Sequence, residues 1–337
     1  MRSLVTGGCG FIGSHVARHC RDLGHDVVVL DDLSGGFRDH LPDGVRLVEG
    51  SVTDHALVDR LVAEHRPETI YHLAAYAAEG LSHFIRRFNY ETNLIGTANL
   101  LNAAVNVGTV GRFVFTSSIA VYGAGQVPMT EDTEPRPEDP YGVAKYAAEL
   151  DLWAAHALWG LDVTVFRPHN VYGEHQNLGD RYRNVIGIFM NQLLRGEPMT
   201  IFGDGSQTRA FSHVDDVAPV IARSVDVPAA RNATFNVGAD EATSVLELAH
   251  LVAEAFGVEP QVEHLDARRE VVHAAASHDR ARRVFGDRPT VPLREGVARM
   301  ATWARTVGAR QTRPFAAVEV RRGLPASWLA SLDPEPT

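Results

Sequence analysis

The sequence predicts an α/β fold: a doubly wound parallel sheet with a smaller C-terminal domain interleaved into it. Three observations predict this. Short runs that are apolar throughout alternate with helical patterns in the first half, as strands covered by helices on both faces require. A glycine-rich turn joins the first such run to the first helix. Beyond Asn170 the alternation gives way to scattered Pro, Gly and aromatic residues, as in EPMTIFGDG. At 337 residues, two domains are expected. The expected boundaries are 1–170 for the sheet domain, with 212–238 returning to it, 171–320 mainly for the second domain, and 321–337 for a tail.

The elements follow in order. Ser3–Thr6 reads as a strand, then come glycines and a helix through Leu23. Asp26–Leu30, Val45–Glu49, Thr69–Leu73, Arg112–Thr116 and Val163–Arg167 read as further strands, and Asn93–Val107 and Val143–Leu158 as helices. A short strand near Thr234–Val237 and a helix Val245–Phe256 follow. The Arg- and Pro-rich stretch after Gly308 receives no element.

Composition removes several classes. Hydrophobic residues make up 45% and charged residues 22%, which excludes a chain disordered throughout. The net charge is 32 − 42 = −10, which disfavours nucleic acid as a partner. Cys9 and Cys20 are too few for a disulfide framework. The start MRSLVTGGCGFIG lacks a signal-peptide pattern, and no run reaches 18 apolar residues. A cytoplasmic setting without membrane association is expected. His15, His72 and His213 show no zinc-ligand spacing, and no metal is expected.

Gly7, Gly10 and Gly13 form G-x-x-G-x-x-G between a strand and a helix. Glycines let the backbone turn tightly and approach a pyrophosphate, and the helix N-terminus supplies amide donors and positive dipole. Asp31, ending the second strand, is placed to accept the ribose hydroxyls of an adenosine and to repel a 2′-phosphate, favouring NAD over NADP. Arg38 is near enough to keep NADP open. Cys9, within the loop, is either a thiol activated by the helix N-terminus or a small filler, and the filler is favoured.

Tyr141 and Lys145 stand four residues apart on one helix face. A phenol of pKa about 10 is a poor base at neutral pH, and a fixed neighbouring cation favours its ionised form. Ser118, in TSSIAVYG directly after the fifth strand, lies at the carboxyl edge of the sheet, where it can bond the substrate oxygen or merely cap the turn.

GGCGFIG, Asp31, YHLAA, TSSIAVYG, YGVAK and RPHNVYG, in that order, resemble an extended short-chain dehydrogenase/reductase. The nearest subgroup is the nucleotide-sugar epimerases of the UDP-glucose 4-epimerase type. The resemblance implies a Rossmann domain holding NAD, a UDP-sugar as substrate, and Ser118, Tyr141 and Lys145 as hydroxyl, base and supporting lysine. It implies cofactor contacts at Gly7, Gly10, Phe11, Ile12, Gly13, Asp31, Asp32, Val52, Asp54 (beside the adenine), Leu73, Ala74, Ala75 and Pro168, together with Tyr141 and Lys145. Asn170, Asn184, Arg209 and Arg269 match substrate positions, and arginine's planar fork suits a diphosphate. A homodimer is implied too, paired through the Asn93–Val107 and Val143–Leu158 helices, in the second of which Tyr146, Leu150, Trp153 and Ala157 recur at helical spacing; plain core packing is the competing account.

Departures from the pattern matter. His169 replaces a frequent aromatic and reads as a packed histidine. Glu270-Val-Val follows Arg269 where Glu-Gly-Asp is common, removing a ribose carboxylate. Ala276 stands where a small residue admits an N-acetyl group. Arg181 and Arg183 read as a solvated basic face. Ile119 and Ala120 follow Ser118 where dehydratases carry Asp-Glu and decarboxylases carry Glu. A 4-epimerase is therefore expected. A dehydratase, reductase or 3,5-epimerase is the alternative, with a GDP-sugar open because DGSQTRAF and His169-Asn170 also resemble GDP-mannose 3,5-epimerases. An NAD-sensing binding module is the remote alternative.

Overall fold

Apolar, largely β-branched runs build the central sheet. β1 (Arg2–Thr6), β2 (Asp26–Asp31), β3 (Arg46–Glu49), β4 (Thr69–His72), β5 (Arg112–Thr116) and β6 (Val163–Pro168) fall within about a residue of the sequence expectation. Leu4, Val29, Ile70, Val114 and Val165 are fully buried, because helices cover both faces. The computed structural model describes residues 1–125, 127–267, 273–310, 318–325 and 328. A strand at Ala233–Val237 returns to pair with β6. The order is Ala233–Val237, β6, β5, β4, β1, β2, β3, all parallel. The strand order reverses between β1 and β4, and the crevice at their carboxyl ends is where such sheets bind ligands.

On one face, α1 (Phe11–Asp22) packs beside the helix Val214–Arg223 through Val16, Cys20, Val217 and Ile221. On the other lie α2 (His55–His65), α5 (Gly96–Val107) and α6 (Pro140–Trp159), burying Leu61, Leu100, Leu101 and Leu152. Two short helical turns, α3 (Glu79–Ser82) and α4 (Arg86–Tyr90), precede α5. α2 was not assigned from the sequence, although Val58, Leu61 and Val62 are its buried stripe. The α-helical part of α5 starts at Gly96 rather than Asn93, because Glu91–Ile95 forms a π turn. There Asn93 accepts from the Tyr76 N–H (2.9 Å) and donates to its carbonyl (3.1 Å). α6 starts at Pro140, three residues earlier than expected, because Asp139 caps the Gly142 N–H at 2.9 Å. Tyr141 therefore sits in the first turn.

The second domain packs the helices Val185–Leu194, Val245–Phe256 and Leu293–Val307 around Phe189, Met190, Leu248 and Met300. The first and last of these were not assigned from the sequence. Val318, Leu324 and Trp328 pack back onto Ala78, Leu81 and Ile85 of the sheet domain. No helix among the described residues is long and apolar enough to cross a membrane.

Candidate active site

The carboxyl edge of β1, β4, β5 and β6 opens into a cleft of about 1100 Å³. Its floor begins with the glycine turn. Gly7 has φ +71°, and a Cβ there would lie 2.7 Å from the Ala74 nitrogen. A Cβ on Gly13 would run into the Gly7 carbonyl. These positions exist only for glycine. α1 opens at Phe11 with no side chain capping it, so its first-turn amides are available to a pyrophosphate.

The Asp31 carboxylate braces this loop. It accepts from the Cys9 N–H (2.9 Å) and the Leu33 N–H (2.8 Å). Burial pushes its carboxyl up, and those two bonds oppose the shift. Asp31 still lines the cleft. Phe11, Ile12, Asp32, Val52, Leu73, Ala74, Ala75 and Pro168 line it as well. Asp54 does not: its exposed carboxylate caps α2, accepting from the Leu57 N–H at 3.0 Å, while Ser51 to Thr53 line the cleft in its place. Arg38 pairs with Glu49 and lies outside the lining. The Cys9 thiol is fully buried and pushed up to about 12, chiefly by burial, as a filler would be. This set fits a dinucleotide: a glycine cradle with no room for a Cβ, open helix amides, and a carboxylate at the end of β2.

Ser118, Tyr141 and Lys145 converge at the cleft wall. Burial first, then Glu79, raises the Tyr141 phenol above its ordinary range, while hydrogen bonding from Ser118 opposes this. The Ser118 oxygen also accepts from the Ala120 N–H (3.1 Å), so capping the turn and facing the phenol are both its work. Lys145 lies 5.9 Å from the Tyr141 ring centroid and donates to the Thr116 carbonyl at 2.8 Å. Burial pushes its ammonium down to about 7, against the pull of Glu149.

Glu149 and Arg167 were not singled out from the sequence. They form a buried ion pair behind Lys145, at 2.5 Å between Nη2 and Oε2. Ser117 donates to the Glu149 carboxylate at 2.5 Å, and Arg167 donates to the Tyr122 hydroxyl at 2.7 Å. The available signal was a glutamate one turn beyond Lys145 on a buried helix face.

Asn170, Asn184 and Arg209 line the same cleft. The two asparagines have left-handed backbone, at φ +40° and +60°, and donate to the Ala210 and Val171 carbonyls. Arg209 donates to the Thr208 carbonyl at 2.8 Å. Arg269 lies outside the described residues. His169 is buried, as a packed histidine would be, with its Nε2 2.9 Å from His278. Burial, then His278, pushes it down to about 3.

Two further expectations are corrected. Arg183 is not on a solvated face: it turns into the cleft, pairs with Asp180 at 2.6 Å and lies 4.8 Å from the Tyr76 ring. Only Arg181 is exposed. Ala276 is buried against Met129 in a small cluster with Ile119 and Tyr122 and does not line the cleft, because its segment pairs with Met129. Glu79, Tyr182 and Trp328 line the cleft without having been anticipated.

Known proteins resemble this chain at both levels. The sequence profile described as the NAD dependent epimerase/dehydratase family matches residues 3–238. A UDP-glucose 4-epimerase of Mycolicibacterium smegmatis is 38% identical, over 90% of this chain and 99% of its own length. A crystal structure of UDP-glucose 4-epimerase with UDP-glucose from Thermotoga maritima superposes with TM-score 0.86 at 34% identity, covering 91% of this chain and 99% of that one. A structure of MoeE5 in complex with UDP-glucuronic acid and NAD superposes with TM-score 0.81 at 36% identity, covering 91% and 100%.

Proposed function

The chain belongs to the NAD dependent epimerase/dehydratase family, and from that premise we propose that it is a nucleotide-sugar 4-epimerase. The substrate is a UDP-hexose of the glucose, N-acetylglucosamine or glucuronate type. The bound NAD supplies reversible hydride acceptance. Tyr141 takes the proton of the sugar 4-hydroxyl, Ser118 orients that oxygen, and Lys145 steadies the phenolate. Asn170, Asn184 and Arg209 hold the diphosphate end, leaving the 4-keto sugar free to turn over before reduction on its other face.

One observation carries the choice of reaction. Ile119 and Ala120, both on the cleft, follow Ser118, so the two positions next to it carry no acid or base to eliminate water or promote loss of a carboxylate. The test is incubation of each UDP-hexose with enzyme in D₂O. A C4 epimer without deuterium and without net NADH supports the proposal; deuterium at C3 or C5 overturns it. A second reading, a 3,5-epimerase, gains from Glu79, a cleft carboxylate close enough to act on Tyr141, and the same experiment separates the two.

The enzyme works in the cytoplasm as a homodimer in this reading. Leu150, Leu158 and Trp159 of α6 are 53%, 71% and 57% exposed, an apolar surface suited to a second copy.

A further inference from the structure

We propose that residues 318–325 and Trp328 form the outer wall of the sugar pocket, and that Trp328 sets the size of hexose substituent admitted there. This rests on the nucleotide-sugar reading above. The segment lies well beyond the family match, which ends at residue 238.

The described part of the segment is fastened to the sheet domain. The Glu319 carboxylate accepts from the N–H groups of Arg87 (2.9 Å) and Phe88 (3.0 Å) at the start of α4. The N–H groups of Glu319 and Val320 donate to the Phe84 carbonyl at 2.8 and 3.1 Å. Leu324 and Trp328 are 6% and 5% exposed, plugged against Ala78, Leu81 and Ile85. The indole meets Phe84 edge-on at 6.3 Å and Tyr182 at 5.2 Å. Trp328 thus bridges an early loop of the sheet domain and a loop of the second domain.

This wall stands where the chemistry occurs. Gly323, Pro325 and Trp328 line the cleft together with Glu79, Gly80, Tyr182 and Arg183. Glu79 and Arg183 both act on the Tyr141 phenol, so this is the end that holds the reacting oxygen. A Cβ on Gly80 would already touch the Trp328 ring at 3.4 Å, so the wall has little slack. Tyr76, Phe84, Tyr182 and Trp328 make it largely aromatic. Such rings suit the C–H face of a pyranose, and as rigid bodies they discriminate by shape.

The test is a binding series on the full-length protein with UDP-glucose, UDP-N-acetylglucosamine and UDP-glucuronate. The variants are Trp328→Ala, Trp328→Phe and Glu319→Ala, and NAD affinity reports an intact fold. Trp328→Ala is expected to move affinity for UDP-N-acetylglucosamine relative to UDP-glucose about tenfold toward the larger sugar. Glu319→Ala moves it the same way by unfastening the wall, Trp328→Phe moves it less, and NAD affinity is unchanged. Should Trp328→Ala lose NAD binding through misfolding, the other two variants decide. Parallel weakening of all three sugars, or ratios within about twofold of wild type, overturns the proposal. Turnover is read separately: a shifted ratio in a protein that epimerises no sugar sinks the C4 reading and leaves the wall standing.

Discussion

Lys145 donates a 2.8 Å hydrogen bond to the carbonyl of Thr116, the last residue of β5. That bond ties the helix bearing Tyr141 to the strand that leads into Ser118, so three groups from two segments hold one geometry. It also gives a buried ammonium an acceptor, without which the charge would not persist there.

Tyr141→Phe removes the proton acceptor and leaves the ring packing in place. Turnover is expected to fall at least about a hundredfold, with NAD affinity within about twofold of wild type. Steady-state kinetics beside a binding titration check this; a variant of near-normal rate removes Tyr141 from the reaction.

Lys145→Met removes a buried cation at the cost of one hydrogen bond. Below about pH 7 both the folded and the unfolded chain hold the Lys145 proton, and the burial penalty is complete. Between about 7 and the ordinary lysine value near 10.4, the unfolded chain binds a proton that the folded one has released, so stability rises with pH through this window. At pH 7 the variant is expected to be more stable by on the order of 1 to 3 kcal/mol, inactive, and to lose that advantage toward pH 10. Urea unfolding of both proteins at pH 7 and pH 9 measures the difference, and a gap that widens with pH contradicts the assignment.

Gly13→Ala forces a methyl group into the Gly7 carbonyl. We expect a loss of about 1 to 3 kcal/mol and NAD binding too weak to saturate. Thermal unfolding with and without NAD reads both effects; a variant that NAD stabilises as well as wild type shows that the loop has room to spare.

Glu149→Ala leaves Arg167 charged, buried and without its carboxylate. The expected cost is about 3 to 5 kcal/mol in urea unfolding. The Lys145 ammonium, losing the one carboxylate that raises it, shifts further down. A cost below about 1 kcal/mol would show that Arg167 finds another partner.

The strands of the sheet were legible because a strand buried on both faces is written in four to six consecutive residues. The second-domain helices were less so. Val185–Leu194 reads as VIGIFMNQLL, apolar nearly all round, which blurs its period, and Leu293–Val307 carries three arginines on its wet face. For Arg183, spacing shows charge but not direction; Asp180 and the Tyr76 ring turn it inward. For Ala276, an ungapped register cannot foresee that its segment pairs with Met129.

What the sequence alone determined is local chemistry: where the glycines let the backbone meet a phosphate, where a carboxylate ends β2, and that a phenol and an ammonium share one turn of helix. Such features lie within a few covalently linked residues, and their geometry follows from backbone sterics and helical period. What tertiary structure alone decided is which distant groups face them: Glu79 and Arg183 toward the phenol, Glu149 and Arg167 behind the ammonium, and Trp328 on the cleft wall some 250 residues from its partners Ala78 and Leu81. Those neighbours follow from how two domains bury apolar surface together, and no local pattern in the chain encodes it.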